Sequence, residues 1–337
     1  MQGYWKNHFC DYLCDPTQHS LQMLLHLATL ALLAAFMLLY LAIARRFSIT
    51  DIPNGRSSHT RVTVRGAGIL FPLALLAHSL HSGSLQMLPL IALTGIAFIS
   101  FMDDLFTVRQ EIRIIIHLLA LTVLLCSCGA CSLPWFLLIP GVIMATGYVN
   151  AFNFMDGING ISVLTFGVTL VSTMVLNSIY NLFPTDMLTI TALSSVVFAW
   201  FNLRKNAVCF PGDVGSISLG FISVWLVAAL ISRTGRVDFI LFGMVYFTDT
   251  LFSIVFRLRR GEYIFTPHRT HLYQLLANEK GWPHIAVSAV FAGIQLLING
   301  LVIAVVLKPE ISIYFYAIPV AALSVLYPAV RRYAVKP

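Results

Sequence analysis

The chain has 337 residues, of which 58% are hydrophobic and only 10% charged, with a mean hydropathy of +0.84 and a formal net charge of +7. A soluble globule of this length would carry roughly a quarter of its residues as charges, so composition excludes that class and indicates an integral membrane protein. The positive excess needs no nucleic acid, because basic residues set against an anionic inner leaflet account for it.

A bilayer core requires about 20 apolar residues per spanning helix. In chain order, eleven candidate spans fall near 21–43, 67–82, 86–102, 112–128, 133–149, 160–178, 186–202, 214–232, 238–256, 284–307 and 311–330. Runs such as LLHLATLALLAAFMLLYLAI (24–43) lack the strict alternation of a membrane strand, so the expected fold is all-α. Residues 1–20 differ in composition from the rest of the chain and lack the basic start and small-residue cleavage site of a signal peptide. They read as an extension, with Met23 as a candidate natural start. No linker, low-complexity tract or repeat divides the remainder, so 21–337 is expected to form one membrane domain. Cys126, Cys128 and Cys131 near the end of the fourth span have no His or further Cys cluster beside them in sequence. They are expected to be small packing residues with incidental thiols rather than a tetrahedral metal site.

Lys and Arg in short loops stay on the cytoplasmic side. With the N-terminus outside, 17 of the 21 basic residues fall on inside segments, and only Lys6, Arg233, Arg236 and Lys308 remain outside. That split predicts an inside C-terminus. It also places five polar clusters, each interrupting the apolar sequence at every second loop, on one face.

The first cluster, DIPNGRSSHTRVTVRGAG (51–68), is a Gly-ended basic loop carrying Arg56 and His59. In the second, Asp103 and Asp104 end the third span side by side, where like charges repel unless a cation or a proton relieves them. The third, NAFNFMDGING (150–160), spaces Asn153, Asp156 and Asn159 three apart, on one helical face. The fourth, FPGDVGS (210–216), sets Asp213 between Gly212 and Gly215, next to Ser216. Gly allows backbone to approach a phosphate, and Asp can hold a bridging divalent cation. The fifth, TPHRTHLYQ (266–274), packs His268, Arg269 and His271 into four residues. Taken singly, each could be a solvated helix end, a cap or a topology anchor. Together they supply carboxylates for a metal, amides, Gly turns and cationic donors, the parts of a magnesium-dependent phosphate-chemistry site.

DxPxxRSxH, DDL, NxxNFxDGxxG, FxGDxGSxxLG and a terminal HRxH, in this order over about 45–280, resemble the polyprenyl-phosphate N-acetylhexosamine-1-phosphate transferases, glycosyltransferase family 4. PHRTHLYQ looks more like the O-antigen-initiating branch than the peptidoglycan translocase. The resemblance implies ten or eleven transmembrane helices around a cytoplasm-facing cleft in the bacterial inner membrane. There, undecaprenyl phosphate would attack the β-phosphorus of a UDP-N-acetylhexosamine, or a 6-deoxy relative, and release UMP. It further implies Mg2+, with Mn2+ as a substitute, held by Asp104 and Asp213, and Asp103 beside the lipid phosphate. By the same resemblance Asn153 and Asp156 help build the nucleotide-sugar site, and His268, Arg269 and His271 contact the diphosphate. Arg56, His59, Asn159, Gly212 and Ser216 complete the implied substrate-binding set, and a homodimer is left open. Asn159 stands where the family usually has Asp, Val64 where Pro is common and Ala67 where Gly is common; Asn159 bears on base affinity.

A phosphate monoester has a second pKa near 6, so a lipid phosphate is mostly dianionic at neutral pH and direct attack is favoured. A path through a phosphorylated Asp103 or Asp104 stays open. A transporter would also set polar residues in broken helices, but near the midplane and in repeated halves. A scaffold would have no use for Asp pairs beside GDxGS and HRxH.

Overall fold

The computed structural model describes residues 16–55, 57–83, 87–263, 268–308 and 313–335. Among them, eleven long helices run in chain order: α1 (Pro16–Arg46), α2 (Leu70–Ser82), α3 (Met87–Leu105), α4 (Gln110–Ser127), α5 (Trp135–Met155), α6 (Ile161–Tyr180), α7 (Thr185–Asn202), α8 (Gly212–Thr234), α9 (Met244–Arg259), α10 (His284–Leu307) and α11 (Ala317–Val335). The chain is an all-α integral membrane protein. The expected extension falls largely outside the described residues.

Nine described helical segments are individually long and apolar enough to cross a membrane. The expected spans at 67–82 and 186–202 are not among them, which corrects the count of self-sufficient spans. The first becomes a 3-10 turn, Ala67–Ile69, leading into the 13-residue α2; at 1.5 Å per residue that helix is about 20 Å long. The second, α7, carries Asp186, Thr185, Thr189, Thr191, Ser194, Ser195 and Asn202 among its apolar residues. Both are nevertheless return legs of the bundle. Arg65, just before α2, pairs with Asp104 at the end of α3, and Asn159, just before α6, bonds to Arg204 and Lys205 just after α7. α2 therefore leaves this end of the bundle and α3 returns to it, and α6 leaves it and α7 returns.

α8 is the central post. It is buried over most of its length, from Gly212 through Leu226, and packs against α3, α5 and α6. The first loop is pinned to its start. A short antiparallel ladder pairs Thr50 with Val64 and Asp51 with Thr63. Phe210 N donates to Val64 O at 2.8 Å, Ala67 N to Phe210 O at 3.1 Å and Gly68 N to Pro211 O at 3.0 Å. Two glycines permit this crossing. A Cβ on Gly68 would run into Gly215 Cα and Pro211 O, and Gly212 sits at φ 70° with Asp104 and Gly66 where its side chain would be.

At the middle of the bundle the chain enters α9 through a 3-10 segment, Val237–Gly243, whose freed backbone groups need partners within the apolar phase. Gln295 of α10 supplies them: its Oε1 accepts Val245 N at 3.0 Å and its Nε2 donates to Leu241 O at 2.9 Å. Gln295 Nε2 also reaches Asn299 Oδ1, and Asn299 Nδ2 reaches Ser172 Oγ on α6. Such interhelical polar bonds hold α6, α9 and α10 in register.

The opposite end corrects the reading of the cysteines. Cys126 and Cys131 form a disulfide, with Cα atoms 4.6 Å apart, while Cys128 keeps a free thiol. Gly129, at φ 95°, and the 3-10 turn Ala130–Ser132 fold the chain back so the two sulfurs meet. A cavity of about 480 Å³ lies at this end, lined by Cys128, Asn181, Phe183, Trp225 and Arg233 among others. It holds none of the residues of the five polar clusters.

Candidate active site

Three carboxylates and two guanidinium groups form the centre of the polar end. Asp104 is enclosed completely, its side chain 0% exposed. Its Oδ1 accepts Asp213 N at 2.9 Å and Arg65 Nε at 2.6 Å, and its Oδ2 accepts Val214 N at 3.0 Å. Asp104 thus caps the N-terminus of α8 from another helix, meeting both the orphan N–H groups there and the positive end of the helix dipole. Asp213 receives Arg65 Nη2 on Oδ1 at 2.9 Å and Arg113 Nη2 on Oδ2 at 3.0 Å. Arg113 reaches Asp103 through Nη1, and Asp103 Oδ1 accepts Val108 N at 2.8 Å. Burial works against the Arg65 charge, but Asp104 and Asp213 outweigh it and raise its pKa above that of a free guanidinium.

The third cluster meets this centre from α5. Asn153 Nδ2 donates to Ser216 Oγ at 3.0 Å, which ties the end of α5 to the first turn of α8. Asp156 lies at the α5 C-terminus with Ser162 Oγ donating to its Oδ1 at 2.7 Å. Burial pushes its carboxyl up to about 7; the Ser162 bond opposes the shift and the charges of Asp213 and Asp104 add to it. Asn159 turns away from this centre. It is 4% exposed, and its Nδ2 donates to Arg204 O at 2.7 Å and Lys205 O at 3.2 Å. An Asp in that place could not make either bond, so the departure from the usual residue suits a position where two carbonyl oxygens converge.

The fifth cluster leans on the third and first. Tyr273 OH donates to Phe154 O at 2.9 Å, and its ring lies over Gly157, where no side chain would fit. Arg269 Nη1 makes a long contact of 3.4 Å with Gly55 O, and its Nε is buried without a partner among the described residues. Its guanidinium therefore keeps donors for an anion. His268 Nδ1 contacts Thr270 Oγ1 at 2.9 Å, and burial first, then His271 and Arg257, lower its pKa to about 4. At neutral pH His268 is an uncharged ring and brings no positive charge to a phosphate. His271 corrects an expectation. The sequence offers no long apolar run to bury it, yet it is 4% exposed, closed in by Asp249 of α9 and by His268 and Tyr273.

The structure thus brings Asp103, Asp104, Asn153, Asp156, Asp213, Ser216, His268, Arg269 and His271 to one end of the bundle. Gly212 and Ser216 face neighbouring backbone rather than open space: Ser216 is 0% exposed and donates to Gly212 O at 3.1 Å. His59 is half-buried beside Phe210, its Nε2 3.8 Å from Asp51 Oδ2. Arg56 lies outside the described residues, as do 264–267 at the start of the fifth cluster. Three members of the site escaped the sequence reading. Arg65 falls inside the first basic cluster without being singled out, Arg113 serves only as a topology anchor, and nothing in their spacing ties either to Asp213. Asp249 did carry a signal, an ionisable residue inside the apolar run YFTDTLF.

Mg2+ takes hard oxygen donors and is commonly held by one or two carboxylates, with water and substrate phosphate in the other positions. Asp103 and Asp213, 10% and 16% exposed and joined by Arg113, offer that donor chemistry. Asp104 fits less well, because its oxygens are spent on α8 and Arg65. Among the described residues no three His, Cys, Asp or Glu side chains gather into a closed metal cage.

The structure is a membrane-embedded helical bundle with acidic and basic side chains converging at one end. The sequence pattern of Glycosyl transferase family 4 matches residues 86–231. The chain is similar to the "Probable undecaprenyl-phosphate N-acetylglucosaminyl 1-phosphate transferase" of Bacillus subtilis (strain 168), 25% identical over 69% of this chain and 71% of that protein. The undecaprenyl-phosphate alpha-N-acetylglucosaminyl 1-phosphate transferase of Thermotoga maritima is 27% identical over 74% of this chain and 80% of its own length. The phospho-N-acetylmuramoyl-pentapeptide-transferase of Streptococcus sanguinis (strain SK36) is 32% identical, but over 47% of this chain and 50% of its own. The chain is thus similar to undecaprenyl-phosphate N-acetylglucosaminyl 1-phosphate transferases over 69–74% of its length, with the Glycosyl transferase family 4 pattern over residues 86–231.

Proposed function

We propose that the protein transfers an N-acetylsugar-1-phosphate from a UDP-sugar to undecaprenyl phosphate, releasing UMP and starting a lipid-linked cell-surface glycan, O-antigen or a related polysaccharide. The observation that carries this reading is the joining of Asp103, Asp104 and Asp213 through Arg65 and Arg113 at the same end of the bundle as Arg269. Three acids held by two arginines, at the same end as a guanidinium whose Nε has no partner among the described residues, suit a substrate that brings two phosphates and a metal. The N-acetylglucosaminyl relatives align over 69–74% of the chain and the muramoyl-pentapeptide relative over 47%, which favours the simpler sugar.

Asp213 and Asp103 would hold Mg2+, which when bound supplies positive charge to the diphosphate. Asp104 holds the start of α8, and with it Asp213, at a fixed height. Arg65 and Arg113 set the orientation of the carboxylates and retain their own charge toward the phosphates. Arg269 presents a planar fork matched to two phosphate oxygens, and His268 acts as a neutral ring against which a ligand can lie. A lipid phosphate already ionised at neutral pH attacks without a strong base, so direct displacement is the favoured course. The basic residues at the site end support a site on the cytoplasmic face of the bacterial inner membrane.

Purified protein should release UMP from a UDP-N-acetylhexosamine only with undecaprenyl phosphate and Mg2+ or Mn2+ present, and a panel of UDP-sugars would identify the donor. Absence of UMP across the panel, with solute uptake into proteoliposomes instead, would overturn the reading in favour of a transporter. A stoichiometric burst of UMP without lipid, lost in Asp103→Asn, would replace direct attack with a phosphorylated aspartate.

A further inference from the structure

Asp249 is 1% exposed within α9, and none of its contacts belong to the cluster of Asp103, Asp104 and Asp213. A carboxylate at this depth is costly and needs partners. Its Oδ1 gathers four: Tyr327 OH at 2.8 Å, Leu272 N at 3.1 Å, Ser253 Oγ at 3.2 Å and His271 Nδ1 at 3.3 Å. An ionised carboxylate can only accept, so with Asp249 ionised this contact is a hydrogen bond only when Nδ1 of His271 carries a proton. That choice fixes the tautomer and leaves Nε2, on the other edge of the ring, for whatever enters the site. Stacking holds the plane, with His268 at 4.9 Å and Tyr273 at 5.8 Å between ring centroids.

The last helix closes the assembly. Tyr327 of α11 stacks on Phe252 at 4.8 Å while bonding to Asp249. One turn on, Arg331 donates from Nη1 to Thr270 O at 2.6 Å, with its guanidinium 4.6 Å over Phe256. The segment Thr270–Leu272 is thus gripped from α9 and α11 together.

We propose that Asp249 is a positioning residue for phosphosugar transfer: it holds His271 with Nδ1–H inward and Nε2 presented to a phosphate oxygen. The inference rests on the transferase reading of the preceding subsection. A purely structural Asp249 would only cap the turn at Leu272.

The two roles separate in a double-mutant cycle on the full-length protein in detergent or nanodiscs, with UMP release from UDP-N-acetylglucosamine and undecaprenyl phosphate as the assay. Wild-type turnover, measured first, alone decides the transferase reading. Asp249→Asn retains an oxygen for Leu272 N, Tyr327 and Ser253 but loses the charge. Its kcat should fall about 10- to 100-fold with KM for the UDP-sugar nearly unchanged, as when a partner that orients an active group is lost. His271→Gln should fall further, and the double variant should be no slower than His271→Gln alone, because residues acting as one unit do not add. Losses that multiply in the double variant, or wild-type turnover in Asp249→Asn, would overturn the proposal. If Asp249→Asn does not fold, Tyr327→Phe enters the same cycle, removing one donor to Asp249 with little change in volume; it should show a smaller loss that again disappears in the His271→Gln background, and an additive loss counts against the proposal.

Discussion

Asp104→Asn separates a metal ligand from a helix cap. The substitution keeps shape but replaces one oxygen with an NH2 group. In either amide orientation that group faces a backbone donor, because Oδ1 receives Asp213 N and Oδ2 receives Val214 N. A lost N-cap costs about 1 kcal/mol. A charge-assisted bond to a buried group adds about 1.5–3 kcal/mol, and the dipole contribution up to about 2 kcal/mol. Since these overlap, a net loss of about 3–5 kcal/mol is expected, in the range for removing one member of a buried ion pair. The variant should melt roughly 5 °C or more below wild type when followed by fluorescence or aggregation of detergent-purified protein, and it should also lose turnover. Asp213→Asn, whose side chain is partly exposed and held by side chains, Arg65 and Arg113 foremost, rather than by backbone N–H groups of α8, should lose turnover with a smaller change in melting. An Asp104→Asn protein that is inactive yet melts like wild type would refute the cap and restore the metal-ligand role expected from the sequence.

Asp156 carries a carboxyl raised to about 7, so the folded state holds a proton that the unfolded chain releases near 4. Its contribution to stability is complete below that unfolded pKa and is lost as pH rises toward 7, at up to about 1.4 kcal/mol per pH unit. Asp156→Asn should therefore flatten the difference in melting temperature between pH 5.5 and 7.5, and an unchanged difference would count against the shift. Asn159→Asp would set a carboxylate against the carbonyl oxygens of Arg204 and Lys205 and should lower stability by about 3 kcal/mol, read as melting temperature; an unaffected variant would return Asn159 to the ligand. Arg269→Lys should reduce turnover about 100-fold with melting unchanged, since its one contact to Gly55 is long, and parallel losses of both would make the loop structural. Cysteine placed at Ser57 or Thr270 should react only from the cytoplasmic side and cysteine at Ser82 or Ser132 only from outside, the reverse pattern refuting the orientation.

Composition and spacing along the chain settle the class and the general position of the chemistry. Span length and apolarity follow from bilayer thickness, which acts on each segment alone, and the one-ended gathering of the five polar clusters follows from their falling at alternate loops. Partner choice belongs to the tertiary structure. Asp103 and Asp104 are neighbours in sequence, yet one looks toward Arg113 and the other is closed over by α8, because successive residues of a helix point about 100° apart. Arg65 and Arg113 lie 148 and 100 residues from Asp213, and only the packing of the first loop on α8, through Gly68 and Gly212, and of α4 beside α3 and α8 brings such distant charges within bonding distance. His271 reads as a loop residue until α9 and α11 bury it with Asp249. Asn159 reads as a ligand until the turn after α7 supplies two carbonyl oxygens. Local physics, set by solvent and spacing, can be read along the chain; burial and ion pairing depend on which helices become neighbours, and that is decided only when the bundle closes.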